Sequence, residues 1–178
     1  MAIAVSAWFD SPTEDSVRGI WSQLASQGIS SLLHDGPYRP HITLGIYEEL
    51  NVPEFSKALG EAVIDIEPFE CQMPLIGLFP NKPVVGFLGV TQTAGLNHLH
   101  QNVHQLMARF GTSPRPYYLP DNWNPHCSLA PDLSSESLGD FLQAVEEFKL
   151  PLKASINRIG IIDTPAEIEL DSIKLGGK

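Results

Sequence analysis

The chain has 178 residues, of which 43% are hydrophobic and 18% charged, and no apolar run approaches the length needed to span a membrane. Its formal net charge is −10 at pH 7, from 21 acidic and 11 basic residues, and no basic stripe is visible. Because this charge repels a long polyphosphate chain, we expect a phosphate-bearing partner to be a small molecule or a short terminus.

The N-terminal segment and the two cysteines favour a cytoplasmic protein. The segment MAIAVSAWFD has no basic region, and Asp10 interrupts its apolar run, which argues against a signal peptide. Cys71 and Cys127 are too few for a disulfide framework or a zinc site. We expect both to be small buried side chains.

The first half of the chain alternates predicted strands and helices. The segment IAVSAWF predicts a strand, and SPTE at residues 11–14 predicts a capping box at the start of a helix. The apolar stripe of this helix is formed by Val17, Ile20, Trp21 and Leu24. A strand in HITLGIY, a helix over about residues 53–63 and a strand in CQMPLIGLF follow.

The second half repeats this order. VVGFLGV predicts a strand, AGLNHLHQNVHQLMARF a helix, GTSPRPYYLPDNWNP a loop and HCSLA a strand. The next helix is predicted over about residues 135–148, with Leu138, Phe141, Leu142 and Val145 facing inward. KASINRIGIID and EIELDSIKL predict two final strands. Similar halves, at about residues 1–80 and 81–178, indicate a single domain of two lobes related by a pseudo-twofold axis.

One motif also occurs twice, at matching points of the two halves. RPHITL spans residues 39–44 and NPHCSL spans residues 124–129. Because successive side chains of a strand point to opposite faces, His41 shares a face with Thr43, and His126 shares a face with Ser128. If the two strands lie side by side, two imidazoles and two hydroxyls converge on one cleft.

This set of groups suits the cleavage of a phosphodiester. The reaction needs a base that takes a proton from water and an acid that protonates the departing alkoxide, and imidazole can do either near neutral pH. The hydroxyls of Thr43 and Ser128 can hydrogen-bond the phosphoryl oxygens. The sequence has no carboxylate cluster to hold a metal ion, and we expect neither a metal nor another cofactor.

Two other interpretations of single residues are weaker. His100 and His104 stand at i, i+4 on a predicted helix, as zinc ligands do, but no Glu lies between them in the metalloprotease pattern and they flank the apolar stripe. Cys127 is a poor candidate nucleophile, because strand alternation turns it away from His126.

The doubled motif, with its preceding prolines, resembles the two-histidine phosphoesterase superfamily over nearly the whole chain. Members include RNA 2′,3′-cyclic phosphodiesterases, 2′-5′ RNA ligase-like proteins and small cyclic phosphodiesterases. The resemblance implies an α+β fold, in which antiparallel sheets line a central cleft and helices lie outside. It also implies that His41, Thr43, His126 and Ser128 are catalytic, with the first histidine donating a proton and the second accepting one.

Details of the resemblance favour the small-substrate branch. SAWFDSPTE is similar to the first strand of the plant and yeast cyclic phosphodiesterases, whereas bacterial RNA ligase-like proteins usually follow the motifs with Phe-Leu-Gly and Arg. Here residues 45–47 are GIY and residues 130–131 are AP, so neither bacterial pattern is present. One departure from the plant enzymes is Pro131, which stands where they have an aromatic substrate contact. We expect hydrolysis of ADP-ribose 1″,2″-cyclic phosphate or a 2′,3′-cyclic nucleotide. An enzyme acting on short RNA ends, or an inactive nucleotide-binding protein, remains an alternative.

Aromatic and basic residues near the motifs are candidates for substrate binding, through stacking and charge neutralisation. The candidates are Trp8, Tyr38, Arg39, Arg115, Tyr117 and Trp123. Trp8 could instead be an amphipathic core aromatic, and each of the loop residues could simply be solvated.

Overall fold

The computed structural model describes residues 2–164 and 166–177, which form nine strands and five helices. The strands are β1 (Ile3–Phe9), β2 (His41–Leu50), β3 (Phe69–Met73), β4 (Leu75–Phe79), β5 (Val84–Gly89), β6 (Gly111–Pro114), β7 (His126–Leu133), β8 (Leu152–Asp163) and β9 (Ile168–Lys174). The helices are α1 (Ser11–Ser26), α2 (Leu32–Asp35), α3 (Val52–Val63), α4 (Ala94–Phe110) and α5 (Ser137–Ala144). Short 3₁₀ turns cover Pro116–Tyr118 and Val145–Glu147.

The strands form two antiparallel sheets, which confirms the predicted α+β class. The larger sheet has six strands in the order β3-β8-β1-β2-β6, with β9 paired to β8, and the smaller sheet has the order β4-β5-β7. The strands that begin with the two histidines, β2 and β7, belong to different sheets and pack against each other. The two motifs therefore meet where the sheets meet.

The two halves of the chain exchange strands. β4, from the first half, pairs with β5, the first strand of the second half. In the corresponding way β8, from the second half, pairs with β1. Sheet membership therefore does not follow the predicted boundary near residue 80, because each sheet needs strands from both halves.

Pro74 divides one predicted strand into two. CQMPLIGLF was predicted as a single strand, but residues before Pro74 pair with β8 and residues after it pair with β5. Proline has no N–H to donate to a ladder, so it lies where a strand leaves one sheet and enters the other. This break makes the exchange of strands possible.

The helices agree with the sequence patterns, with corrections at their ends. The N-cap of α1 is Asp10 rather than Ser11, and its carboxylate accepts a hydrogen bond from the Thr13 N–H at 3.2 Å.

Helix α5 ends at Ala144, and Leu142, which was predicted to face inward, is 48% exposed. Phe141 is buried as predicted, together with Ala144, and Leu138 and Val145 pack partly buried against the core. The predicted loop after α4 also contains β6 and a 3₁₀ turn, and α2 was missed because four residues carry little periodicity.

Both cysteines are buried free thiols in the main core. Burial raises the pKa of Cys127 to about 12, so its thiol is a poor nucleophile. No helix within the two described ranges is long and apolar enough to cross a membrane.

Two buried histidines of α4 hydrogen-bond backbone carbonyls of β2 and of the segment before β7. His104 donates a hydrogen bond from Nε2 to the carbonyl of Leu44, and His100 donates one to the carbonyl of Tyr118, both at 2.9 Å. The ring of His100 also stacks on Trp123, with centroids 3.8 Å apart. Among residues 2–164 and 166–177, no three His, Cys, Asp or Glu side chains are grouped to hold a metal ion. The rings of His100 and His104 are engaged in packing α4 against the neighbouring segments.

The buried pair makes stability depend on pH. Burial, with a contribution from the charge of His104, lowers the pKa of His100 to about 4. The unfolded chain binds a proton at this residue below about pH 6.5, whereas the native state stays neutral until about pH 4. The stability contributed by His100 is therefore present above pH 6.5 and is lost as the pH falls toward 4.

We expect His100→Gln to flatten this dependence. Between pH 7 and 4.5, the free energy of unfolding of the parent should fall by on the order of 2 kcal/mol more than that of the variant. Urea denaturation at a series of pH values measures both curves. His98→Gln is the matched control, since His98 is exposed on the same helix. Equal slopes for the parent and His100→Gln would show that His100 does not carry the effect.

Candidate active site

The two histidines occupy equivalent positions with equivalent hydrogen bonds. His41 is the first residue of β2 and His126 the first residue of β7. His41 donates from Nδ1 to the carbonyl of Arg39 at 2.6 Å, and His126 donates from Nδ1 to the carbonyl of Asn124 at 2.7 Å. Each acceptor precedes the motif proline, and each bond holds the proton on Nδ1. Nε2 is then the nitrogen that accepts a proton in each neutral ring.

Strand alternation places the four motif side chains as the sequence predicted. His41, Thr43, His126 and Ser128 are half-buried. The side chains behind them, all buried in the main core, are Ile42, Leu44, Cys127 and Leu129. A backbone group of His41 lies close enough to the Cys127 thiol to influence its pKa, so the two motif strands are neighbours in the core.

Two tryptophans hold the backbone of the hydroxyl residues. Trp21, on α1, donates from Nε1 to the carbonyl of Ser128 at 3.0 Å. Trp123, in the loop before β7, donates from Nε1 to the carbonyl of Thr43 at 2.9 Å. Trp123 is only 5% exposed, so it supports the first motif and does not offer a ring face to a substrate. The apolar stripe of α1 indicated that Trp21 is buried, but not which strand it binds.

Burial and mutual repulsion both disfavour protonation of the two imidazoles. Burial lowers the pKa of both His41 and His126 from the usual value. A positive charge on His126 lowers the pKa of His41 further, because two imidazolium groups so close repel each other. The pair therefore resists taking up a second proton, and one protonated ring beside one neutral ring is the state that acid–base catalysis uses.

Trp8 and Arg39 lie beside the first motif. Trp8 pairs with His41 across the β1–β2 ladder and is 2% exposed. Its indole crosses Gly160, where a Cβ would lie 1.9 Å from a ring carbon. The guanidinium of Arg39 lies 4.2 Å over the indole centroid and donates from Nε to Glu14 at 2.5 Å. Burial of Trp8 fits the core-aromatic alternative and not stacking on a substrate, and Arg39 is engaged within the protein.

Buried polar atoms face the same side of β1. The Ser6 hydroxyl and the Trp8 indole N–H are buried, and neither has a hydrogen-bond partner within residues 2–164 and 166–177. Ser6 pairs with Thr43 and Trp8 pairs with His41 in the β1–β2 ladder, so these side chains lie on the same face of the sheet as His41 and Thr43.

A cavity of about 540 Å³ adjoins the second motif. His126 and Ser128 lie in its wall, together with the rings of Phe79, Tyr117 and Tyr118. Three amide side chains complete its polar lining: Asn81, Asn122 and Asn124. Among the described residues, no Lys, Arg, Asp or Glu lines it. The cavity suits a neutral aromatic group placed beside a histidine and a hydroxyl.

Aromatic rings pack around His126. Phe79 and Phe87 stack with centroids 4.2 Å apart, and the His126 ring lies 4.8 Å from Phe79 and 5.2 Å from Phe87. Gly77 permits this arrangement, because a Cβ there would lie 2.3 Å from the Phe87 ring. Neither phenylalanine was predicted from the sequence as a site residue, since their proximity to His126 depends on the β4–β5 register.

The remaining predicted substrate residues divide between the cavity and its surroundings. Tyr117 is 81% exposed and lines the cavity. Tyr38 packs partly buried against the main core, and Arg115 donates to Glu48 at 2.9 Å; neither lies in the cavity wall. The structure therefore places Tyr117 beside His126 and Ser128, and leaves Tyr38 and Arg115 outside this cavity.

Comparison with solved structures shows the same fold at low sequence identity. TT0787 of Thermus thermophilus matches with a TM-score of 0.66, 15% identity and coverage of 100% of both chains. E. coli LigT complexed with NADP+ matches with a TM-score of 0.62 and 17% identity, over 98% of this chain and 97% of LigT. Kluyveromyces marxianus Usb1 matches with a TM-score of 0.53 and 11% identity, over 98% of this chain and 97% of Usb1. No curated protein sequence matches significantly.

The family model of the 2′-5′ RNA ligase superfamily matches residues 39–167. This range covers most of the chain and includes both histidine motifs, at positions that the fold brings together. On these grounds the chain belongs to the 2′-5′ RNA ligase superfamily, a group of two-histidine phosphoesterases and ligase-like enzymes, as the doubled motif predicted.

Proposed function

We propose that the protein is a metal-independent cyclic phosphodiesterase that opens a small nucleotide-derived cyclic phosphate, either a 2′,3′-cyclic nucleotide or ADP-ribose 1″,2″-cyclic phosphate. The observation that carries this proposal is the matched pair of imidazoles, each held through Nδ1 by a backbone carbonyl. Together with two hydroxyls, they supply both proton transfers and the binding of phosphoryl oxygens.

The reaction follows from these groups. His126 takes a proton from water, whose oxygen forms a bond to phosphorus. The bond between phosphorus and one ring oxygen breaks, and His41 gives its proton to that oxygen as it leaves. Thr43 and Ser128 donate hydrogen bonds to the non-bridging oxygens, where negative charge is held in the transition state. The assignment of base and acid follows the division implied by the family resemblance.

The cavity beside the second motif favours a small substrate. Its volume of about 540 Å³ falls within the range usual for small-molecule sites. The candidate cations Arg39 and Arg115 are paired with Glu14 and Glu48, and the chain carries a net charge of −10, which disfavours a long nucleic acid. Solved complexes of E. coli LigT with NADP+, 3′-AMP and ATP support a nucleotide ligand. Two free buried cysteines agree with the proposed cytoplasmic location.

The family match supports an alternative function, in which the enzyme acts on the ends of short RNAs. An enzyme acting on the 2′,3′-cyclic end of a short RNA, or a 2′-5′ RNA ligase, would use the same four catalytic side chains. A protein that binds nucleotides without turnover is the third possibility that the first experiment distinguishes.

We expect metal-independent turnover that depends on both histidines. In the presence of EDTA, the parent should hydrolyse 2′,3′-cyclic AMP or ADP-ribose 1″,2″-cyclic phosphate, and His41→Ala and His126→Ala should each lower kcat/KM by at least about 10²-fold, because each removes one proton transfer. His98→Ala, on the surface of α4, is the control.

A short RNA with a 2′,3′-cyclic end completes the substrate panel. Faster turnover of this RNA than of the nucleotides would favour the RNA-end alternative. Binding of all three without turnover would favour the inactive binder, and full activity in either alanine variant would remove that histidine from the mechanism.

We expect the pH optimum of kcat/KM to lie below about 6.5. The state with one proton on the pair is most populated between its two apparent pKa values, and burial lowers the pKa of both rings below 6.5. Activity should therefore decline as the pH rises above 6.5 and the acid loses its proton. A bell-shaped profile, measured from about pH 4.5 to 9, tests this. An optimum above about pH 7.5 would contradict it.

A substrate whose leaving group needs no protonation would distinguish the proposed acid, His41, from the proposed base, His126. Replacing the departing ring oxygen of the cyclic phosphate by sulfur creates a thiolate leaving group, which departs without protonation. With this substrate His41→Ala should regain most of the parent kcat, whereas His126→Ala should remain impaired by about 10²-fold or more. Recovery in His126→Ala instead would reverse the assignment.

A further inference from the structure

We propose that Arg158 and Lys174 form a second anion site, on the same face of the larger sheet as His41, which binds a diphosphate attached to the ribose that carries the reacting cyclic phosphate. This inference rests on the proposed function and deepens it, because it favours ADP-ribose 1″,2″-cyclic phosphate over a 2′,3′-cyclic nucleotide without a further phosphate. Three observations carry it: the register of the sheet, the direction of the two side chains, and the lack of carboxylate partners for them among the described residues.

The register of the larger sheet places both cations in one row with the first motif histidine. Lys174 pairs with Arg158 across the β8–β9 ladder. Arg158 pairs with Trp8 across the β1–β8 ladder, and Trp8 pairs with His41 across the β1–β2 ladder. Neighbouring strands lie about 4.8 Å apart, so the Cα atom of Arg158 is about 10 Å from that of His41, and the Cα atom of Lys174 about 14 Å.

The next row shows that the two cations point away from the core. Residues directly paired in a ladder share a face, and successive residues of a strand alternate between faces. Arg158 donates from Nη1 to the hydroxyl of Ser172 at 2.9 Å, and Ser172 lies two residues before Lys174, on the same face of β9. Lys174 is exposed and Arg158 is half-buried. The row between these two rows packs in or against the main core and consists of Ile173, Ile159, Ala7 and Ile42.

The charges of the two side chains are not neutralised within the protein. Within residues 2–164 and 166–177, neither Arg158 nor Lys174 forms an ion pair with a carboxylate, although the chain has 21 acidic residues for 11 basic ones. Like charges directly opposite each other in a ladder are destabilising. An anion bound between them removes this repulsion, and a guanidinium beside an ammonium group suits phosphate oxygens.

A diphosphate matches this pair of cations better than a single phosphodiester does. Arg158 and Lys174 stand on neighbouring strands, about 5 Å apart at the backbone, so each can contact one of two linked phosphates. In ADP-ribose 1″,2″-cyclic phosphate the diphosphate is attached at C5″ of the ribose that carries the cyclic phosphate, so one ribose separates the two groups. With the cyclic phosphate at the motif histidines, the diphosphate can extend past Trp8 to the two cations.

The test compares two substrates that differ only in the diphosphate: 2′,3′-cyclic AMP and the same nucleotide with a 5′-diphosphate. We expect kcat/KM to be at least about 10-fold higher for the diphosphate substrate, because hydrogen bonds between charged groups are the strong ones. Arg158→Gln should lower the ratio of the two values about 10-fold. Lys174→Gln should lower it less, because Lys174 is more exposed. Arg158→Lys should retain part of the ratio.

Lys153→Gln is the matched control. Lys153 is an exposed cation on the same strand, β8, five residues and about 16 Å from Arg158. Its replacement changes the net charge by the same amount and should leave the ratio unchanged. Both substrates are measured on the same preparation, so any loss of folded protein in a variant cancels in the ratio.

Two results would overturn the second anion site: equal kcat/KM for the two nucleotides, or the same ratio in the parent and in Arg158→Gln. Two further substrates distinguish the source of the phosphate. ADP-ribose 1″,2″-cyclic phosphate should lose turnover in Arg158→Gln to the same extent as the diphosphate nucleotide. A short RNA with a 2′,3′-cyclic end carries a single diester at the corresponding position, and a loss confined to this RNA would overturn the diphosphate assignment.

Failure of the proposed function would be seen separately. If neither nucleotide is hydrolysed, the phosphodiesterase proposal fails, and both nucleotides remain intact for calorimetry. Tighter binding of the diphosphate nucleotide than of 2′,3′-cyclic AMP, lost in Arg158→Gln, would then support the second anion site. Equal dissociation constants would overturn it.

Discussion

The hydrogen bond from each histidine Nδ1 to the carbonyl two residues earlier underlies the chemistry of the site. It sets the tautomer of the neutral ring, so that Nε2 of both His41 and His126 is the nitrogen able to accept a proton. The intervening prolines restrict the preceding residues to extended backbone, which is the geometry that lets a side chain reach back to that carbonyl. The same hydrogen bond from histidine to backbone occurs in both motifs, and the proposed catalysis requires both histidines.

The packing of the two sheets brings the two motif histidines together. Neither half of the chain completes its own sheet, because β4 and β8 each pair with the first strand of the other half. The indoles of Trp21 and Trp123 then bind the carbonyls of Ser128 and Thr43, which ties a helix and a loop to the motif strands. Burial, together with the charge of His126, lowers the pKa of His41, so the two rings resist being protonated at the same time.

The aromatic and basic residues near the motifs differ in how far the protein itself already engages them. Trp8, Arg39 and Trp123 are aromatic or basic residues near the motifs, but burial, cation–π contact and hydrogen bonding commit them to the protein. Tyr117 has the same residue character and is exposed. Residue type indicates what a side chain can bind, whereas only its surroundings decide whether that capacity is already used.

The sequence by itself determined the α+β class, most strands and helices, and the shared faces of the four motif side chains, because strand alternation and helical periodicity are local and the motif occurs twice. Tertiary structure alone decided that Pro74 divides a strand between two sheets, and that Phe79 and Phe87 pack against His126. These features depend on strand pairing and loop packing between residues far apart in the chain, and no pattern within a single segment encodes such contacts.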